Sequence, residues 1–410
     1  MSHAFHRLIS HYAFREDWLK KKMVFLAGPR QAGKTFVAQQ YLAAHSSPQL
    51  YYNWDLPEVA QRFRENPVFF ESDVRISMLK RPTLVFDEIH KRTRWKNELK
   101  AVYDRSIRDF NLIVTGSARL DLLRQSGESL AGRYFLFRVL PIGLQEYAGQ
   151  IDFQCRLDGF KDLIHHLSAI KPAPKALTDL LVLGGFPDPL AMGSLDYRRK
   201  WSADYQRLLF REDLRDLSRI QEIDRVETLW SLLPERVGSP LSIRSLQEDL
   251  SASHEAIRTW LLNLEKLYSI FLLRPFSKKI SRAVKKEKKL YLMDWALHKD
   301  EAKRFENFVI SSLFRSVAVW NDSGQGEFEL YFARNALGQE ADFLLIRDGK
   351  PWILGDAKLS GKAIDAHLYR MAEQLGGVPV IQVVAEPGIF QAPTPKSLIV
   401  SADRLFLAFP

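Results

Sequence analysis

At 410 residues the chain is too long for one ordinary hydrophobic core, so roughly two to four structural units are expected. Its net charge of +10 favours polyanionic partners, nucleic acid above all. The single cysteine, Cys155, excludes a disulfide framework or zinc cluster within one chain, and no run approaches the about 18 apolar residues of a membrane span. The start, Met1 to Arg7, has no apolar signal-peptide core. A cytoplasmic protein with no membrane partner is expected.

Residues 1–22 read as a helical lead-in. From 23 to 150, strand and helix patterns alternate, which predicts a parallel α/β sheet. The short apolar run Met23–Ala27 leads into Gly28-Pro29-Arg30-Gln31-Ala32-Gly33-Lys34-Thr35, a complete GxxxxGK[ST] phosphate loop, and a helical run follows. Strand, glycine-rich loop and helix N-terminus together aim backbone N–H groups and a helix dipole at phosphate oxygens. Lys34 is expected to reach the β- and γ-phosphates of ATP, and Thr35 to ligate Mg²⁺. Gln49–Trp54 reads as a further strand. Thr83–Glu88 is an apolar strand ending in two carboxylates; Asp87 is the expected second Mg²⁺ contact and Glu88 the expected base for the attacking water. A third strand, Asn111–Val114, ends in Thr115-Gly116-Ser117-Ala118, where Thr115 is placed to meet the γ-phosphate or that water.

The motifs GPRQAGKT, LVFDEIHK and TGSA resemble those of AAA+ ATPases. More narrowly, the chain resembles a prokaryotic family that joins such an ATPase to a C-terminal domain of formerly unknown function. Further matches are Ser129–Arg133, Gly184–Pro187, Phe210–Leu214 and Lys289–Asp294. The resemblance implies an AAA+ core over 23–150, ATP and Mg²⁺ as cofactors, and a homo-oligomeric ring, taken as a hexamer. It also implies an arginine that reaches the next subunit's γ-phosphate, with Arg133 and Arg138 as the candidates by family position, and a nucleotide-sensing lid arginine, assigned to Arg211.

Residues 151–235 are leucine-rich with helical spacing and predict a helical lid, broken at Lys171–Lys175. Over 236–298, Ser242 reads as an N-cap before an amphipathic helix, Ser251-Ala252-Ser253 as a tight turn, and His254–Leu267 as a second helix. Two strand-like runs follow, Ser269–Leu273 and Leu290–Met293, which predicts a winged helix-turn-helix. Between them Lys278, Lys279, Arg282, Lys285, Lys286, Lys288 and Lys289 form a basic wing with one acid, Glu287. With Arg258 of the second helix they are the expected DNA contacts.

From 299 to 410 the pattern runs helix 300–317, strands 327–333, 340–346 and 351–359, a helix near 363–376, and a strand Val378–Val384. This is the order of the PD-(D/E)XK nuclease fold, and it resembles archaeal Holliday-junction resolvases and restriction endonucleases. Glu306, Asp342, Asp356 and Lys358 are the expected metal and water-steering groups. A two-residue turn at Asp348-Gly349 would pair Asp342 with Gly355 and turn Asp356 to the wrong face. The site therefore needs a longer loop or a bulge, for which Pro351 is suited. The family pattern commonly has Glu where this chain has Asp356. The functional expectation is a DNA-dependent AAA+ ATPase acting on duplex or branched DNA in repair, recombination or mobile-element processes. The alternative is an ATP-driven oligomeric switch or scaffold for protein partners with an inactive nuclease-like domain.

Overall fold

The fold is that of a computed structural model, which describes residues 5–92, 94–116, 130–151, 159–215, 223–277, 287–335, 337–361 and 363–410. The chain divides into two compact units, Arg7–Leu140 and Met1–His6 with Pro141–Pro410.

The unit Arg7–Leu140 is built on strands β1 (Met23–Ala27), β2 (Tyr51–Asn53), β3 (Thr83–Asp87), β4 (Asn111–Thr115) and β5 (Tyr134–Arg138). Their order is β2-β3-β4-β1-β5, and each pairing is parallel. Every residue of β1, β3 and β4 is buried, as expected of central strands covered on both faces. All five strands run the same way, so Ala27, Asp87 and Thr115 meet at one edge. The lead-in packs with this unit: Arg7, 3% exposed, donates to the carbonyls of Ala32 and Leu140 at 2.6 Å each.

The unit from Pro141 opens with helix Leu144–Ala148. Glu146 pairs with Arg315 at 2.9 Å, and the Gln145 amide donates to the Leu407 carbonyl. Helices Phe160–Ala169, Pro174–Leu183, Pro187–Met192, Leu195–Leu208 and Ile223–Leu232 follow. The Gly184-Gly185-Phe186 motif has a packing role here. Phe186 joins Trp201 and Tyr205 in a buried aromatic cluster, with ring centroids about 5 Å apart. A Cβ on Gly185 would fall 2.6 Å from the Trp295 ring.

Helices Ile243–Leu250 and His254–Lys266 are joined by a tight turn in which Ser251 takes φ 49°. Ser242 and Ser253 cap them through Ser245 N–H and Ala256 N–H. Strands β6 (Ile270–Leu273) and β7 (Lys289–Leu292) pair antiparallel beside them. Lys278, Lys279, Arg282, Lys285 and Lys286 lie outside the described residues.

Helix Glu301–Asp322 begins at an Asp300 cap and runs beyond the expected end, because Trp320 packs on Phe328 and Trp352. Strands β8 (Phe328–Arg334), β9 (Glu340–Arg347), β10 (Lys350–Lys358), β11 (Val380–Val384), β12 (Phe390–Thr394) and β13 (Ser397–Ser401) form a mixed sheet of order β12-β13-β11-β10-β9-β8. Helix Ala366–Gln374 buries Leu368 and Met371 in the core of this sheet. Strands β12 and β13 and the final helix Ala402–Ala408 lie beyond the strand order read from sequence.

The β9–β10 hairpin resolves the register question. Asp348 and Gly349 have φ of 50° and 73°, and Arg347 pairs with Lys350 across a two-residue turn. A bulge then falls between Pro351 and Ile353, so that Phe343 pairs with Gly355 and Asp342 comes opposite Asp356. The Asp342 N–H donates to Asp356 Oδ1 and the Ala357 N–H to Asp342 Oδ2, both at 3.0 Å.

Candidate nucleotide site and acidic cluster

The phosphate loop owes its shape to backbone that only small residues tolerate. Gly28 has φ 149°, and a Cβ there would lie 2.2 Å from the Val139 carbonyl oxygen. Gly33, at φ 94°, starts helix Lys34–His45 from the left-handed region. Gly28→Ala is therefore expected to displace the chain at Val139, lowering the melting temperature and abolishing tight binding of a fluorescent ATP analogue. Retention of both would refute this account of the loop.

Lys34 is buried, and its ammonium donates to the Gly28 and Pro29 carbonyls at 3.1 and 2.6 Å. Asp87, 3% exposed, gathers hydroxyls from three elements. Thr35 Oγ1 donates to its Oδ2 at 3.0 Å, and Tyr51 and Thr115 donate to it from β2 and β4. Thr35 and Asp87 are adjacent hard oxygen donors, the type of pair that holds Mg²⁺ beside nucleotide phosphates, so these residues fit that ion.

Glu88 follows Asp87 with φ 59° and ψ 22°, a conformation that costs a non-glycine residue on the order of 1 kcal/mol. The strained turn is held by Glu88 N–H on the Thr115 carbonyl, and it ends the strand before alternation would send Glu88 to the opposite face. Burial and the charge of Asp87 push the Glu88 carboxyl up to about 7, against the pull of Lys34 and Lys91. His90 Nε2 lies 3.5 Å from it. A carboxyl held there can accept a proton near neutral pH.

The remaining candidate residues scatter. Arg133 precedes β5 at the sheet edge away from the loop, paired with Asp104 at 2.7 Å. Arg138 ends β5 in register with Ala27, beside the loop. Arg211 is exposed on the π-helical turn Leu209–Leu214. Sequence reasoning missed Tyr51 and Arg7, for neither lies in the motif it serves.

In the second unit, Glu306, Asp342 and Asp356 do come together, with Lys358 Nζ 3.8 Å from Asp356. Burial, then the charge of Asp342, raises the carboxyls of both Glu306 and Asp356. Lys289, expected on an exposed basic wing, is instead 2% exposed and turned into this cluster. On β7 alternation puts Lys289 and Tyr291 on one face, and Tyr291 donates to Glu306 Oε1 at 2.9 Å. Lys288 is half-buried and Arg258 exposed; both line a groove of about 790 Å³ with Arg244, Arg274, Glu265 and Leu262.

A parallel sheet carrying a phosphate loop, an acidic strand end and a polar strand tip resembles the P-loop core of AAA domains. Residues 20–148 match the family model described as AAA domain, and residues 174–303 match Domain of unknown function (DUF8612). The chain is 24% identical to an uncharacterized protein of Methanocaldococcus jannaschii over 82% of its length and 74% of the relative's. It is 23% identical to an uncharacterized protein of Mycobacterium tuberculosis, covering 88% and 81%. A solved structure of the Aeropyrum pernix ORC1 protein in complex with DNA aligns at 14% identity, over 72% of this chain and 88% of that one, with a TM-score of 0.30. A likeness that loose carries no argument.

Proposed function

We propose that the protein is a Mg²⁺-dependent ATPase whose nucleotide cycle acts on DNA. The hydrolytic half rests on one observation: Thr35, Asp87 and Glu88 stand together at the mouth of an intact phosphate loop. Lys34 exchanges its carbonyl partners for the β- and γ-phosphates. Thr35 and Asp87 would hold Mg²⁺, which when bound would offset charge on the phosphates. Glu88 orients a water and takes its proton, and Thr115 fixes the Asp87 carboxylate behind it. Arg138 and Arg133 are the proposed trans-acting arginines of a homo-oligomeric ring, taken as a hexamer, and Arg211 the proposed nucleotide sensor. A cytoplasmic location accords with this reading; among the described residues, no helix is long and apolar enough to cross a membrane.

The DNA half rests on the net charge and on a helix pair with a two-stranded hairpin, read as a winged helix whose basic segment grips phosphates. Duplex or branched DNA in repair, recombination or mobile-element processes is the proposed setting. Replacing Lys278, Lys279, Arg282, Lys285 and Lys286 together by Ser is expected to flatten the salt dependence of DNA binding by about 4 units of log K per log [salt]. An unchanged slope excludes the wing as the contact. A protein-binding switch is the second reading, favoured by the mixed charge and exposed Leu262 of the groove beside helix His254–Lys266. The deciding experiment is steady-state ATP hydrolysis with and without duplex, single-stranded and four-way-junction DNA. Stimulation by one of them supports the DNA reading, and a DNA-indifferent rate supports the switch.

A further inference from the structure

A nuclease of the fold that β8–β11 were expected to form needs its carboxylates free to hold a divalent metal. In this chain the place that metal would take is already filled. Asp342 Oδ2 and Asp356 Oδ1 each accept a backbone N–H, and Glu306 Oε1 accepts the Tyr291 hydroxyl. Lys289 reaches in between, its ammonium 2.9 Å from Glu340 Oε2 and 3.8 Å from Asp342 Oδ1, over the Phe332 ring. Among the described residues no group of three His, Cys, Asp or Glu is arranged to hold a metal ion.

We infer that Lys289 is the resident cation of this cluster, a tethered amine that offsets part of the charge of Glu306, Glu340 and Asp342 and takes the place a divalent metal would otherwise occupy. Two further observations support an occupant built into the fold. Lys289 is almost wholly buried, whereas a lysine side chain is ordinarily solvated. The strand that carries it is clamped in place: Asn307, from the same helix as Glu306, accepts the Leu292 N–H and donates to the Leu292 carbonyl. The amine therefore enters at a set depth, one strand repeat from Tyr291. It follows that the cluster is a structural lock between β7 and the β8–β10 meander, and that divalent cations do not enter it in the intact chain. This holds whether or not the first unit hydrolyses ATP.

The test is Mn²⁺ binding and thermal unfolding of the full-length, nucleotide-free protein. Wild type and Asp342→Asn are expected to bind Mn²⁺ identically by electron paramagnetic resonance, because the cluster takes none in either. Lys289→Met is expected to melt lower by on the order of 10 °C, since it leaves buried carboxylates without their counter-charge. Millimolar Mn²⁺ is expected to recover part of that loss, and Lys289→Met/Asp342→Asn is expected to melt higher than Lys289→Met without Mn²⁺ and to lose the Mn²⁺ response. Lys289→Arg keeps the charge and guards against a folding failure: it should melt near wild type and ignore Mn²⁺. Wild-type Mn²⁺ binding that Asp342→Asn abolishes would overturn the inference. So would a Lys289→Met protein that melts like wild type, or one whose loss neither Mn²⁺ nor Asp342→Asn relieves.

Discussion

Glu88→Gln is expected to bind ATP as tightly as wild type and to turn it over about a hundredfold more slowly, or less. The amide keeps the size and hydrogen-bonding reach of the carboxylate but cannot take the water's proton. Binding should be spared because, on the proposed reading, other groups would hold the nucleotide: the loop N–H groups, Lys34, and the Thr35–Asp87 pair at 3.0 Å. The strained backbone at φ 59° belongs to the turn and not to the side chain's charge, so the variant should fold normally. Equilibrium binding of a fluorescent ATP analogue and phosphate release, measured on one preparation, separate the two effects. Turnover within a few-fold of wild type would remove Glu88 from the chemistry and send the search to another group near the loop. Equal loss of binding would instead mean that the turn after β3 shapes the loop itself.

The second large effect belongs to stability. Arg198 and Asp294 form an ion pair at 2.6 Å with side chains only 6% and 9% exposed. Gly184 closes over it so tightly that a Cβ there would lie 2.8 Å from Asp294 Oδ1. Burial raises the Asp294 carboxyl even with Arg198 pulling it down. Arg198→Met removes the counter-charge of Asp294 and should cost about 3–5 kcal/mol, read by urea unfolding. Arg198→Met/Asp294→Leu should recover a good part of that loss, because no buried charge remains. The pH dependence has a definite sign. A carboxyl whose pKa rises on folding contributes stability below its unfolded pKa and loses it as pH climbs through the folded value. The single variant's deficit should thus be greater near about pH 8 than near about pH 5. A deficit that is flat with pH, or a double variant no better than the single, would show that Arg198 acts through packing on Trp201 and not through charge.

The candidate nucleotide site was legible because its signals are local. A phosphate loop is eight consecutive residues, and Asp87-Glu88 are neighbours on an apolar strand. Periodicity likewise placed the helix pair near 243–266 and the strands from 328 to 358 close to where they lie. The same reasoning misjudged Lys289. In sequence it closes a run of exposed-looking basic residues, and only its alternation with Tyr291 on a short apolar strand hinted at an inward face. Arg7 and Tyr51 carry no motif at all, and their roles appear only when the chain ahead of β1 and the edge strand β2 are placed against the loop and Asp87.

Residue order was thus enough to set the elements, the phosphate loop and its carboxylates, because hydrogen-bond geometry and apolar period act over a few residues. The bulge at Pro351–Ile353 was foreseeable as a need, but its position depends on how β10 must sit to bury Leu354 and bring Asp356 opposite Asp342. What fills the acidic cluster, and which arginine answers Asp294, were decided by tertiary packing. Charges in a low-dielectric interior must be balanced by whatever partner the fold brings within a few ångströms, and those partners lie 96 residues apart for Arg198 and Asp294 and on separate strands for Lys289 and Glu340.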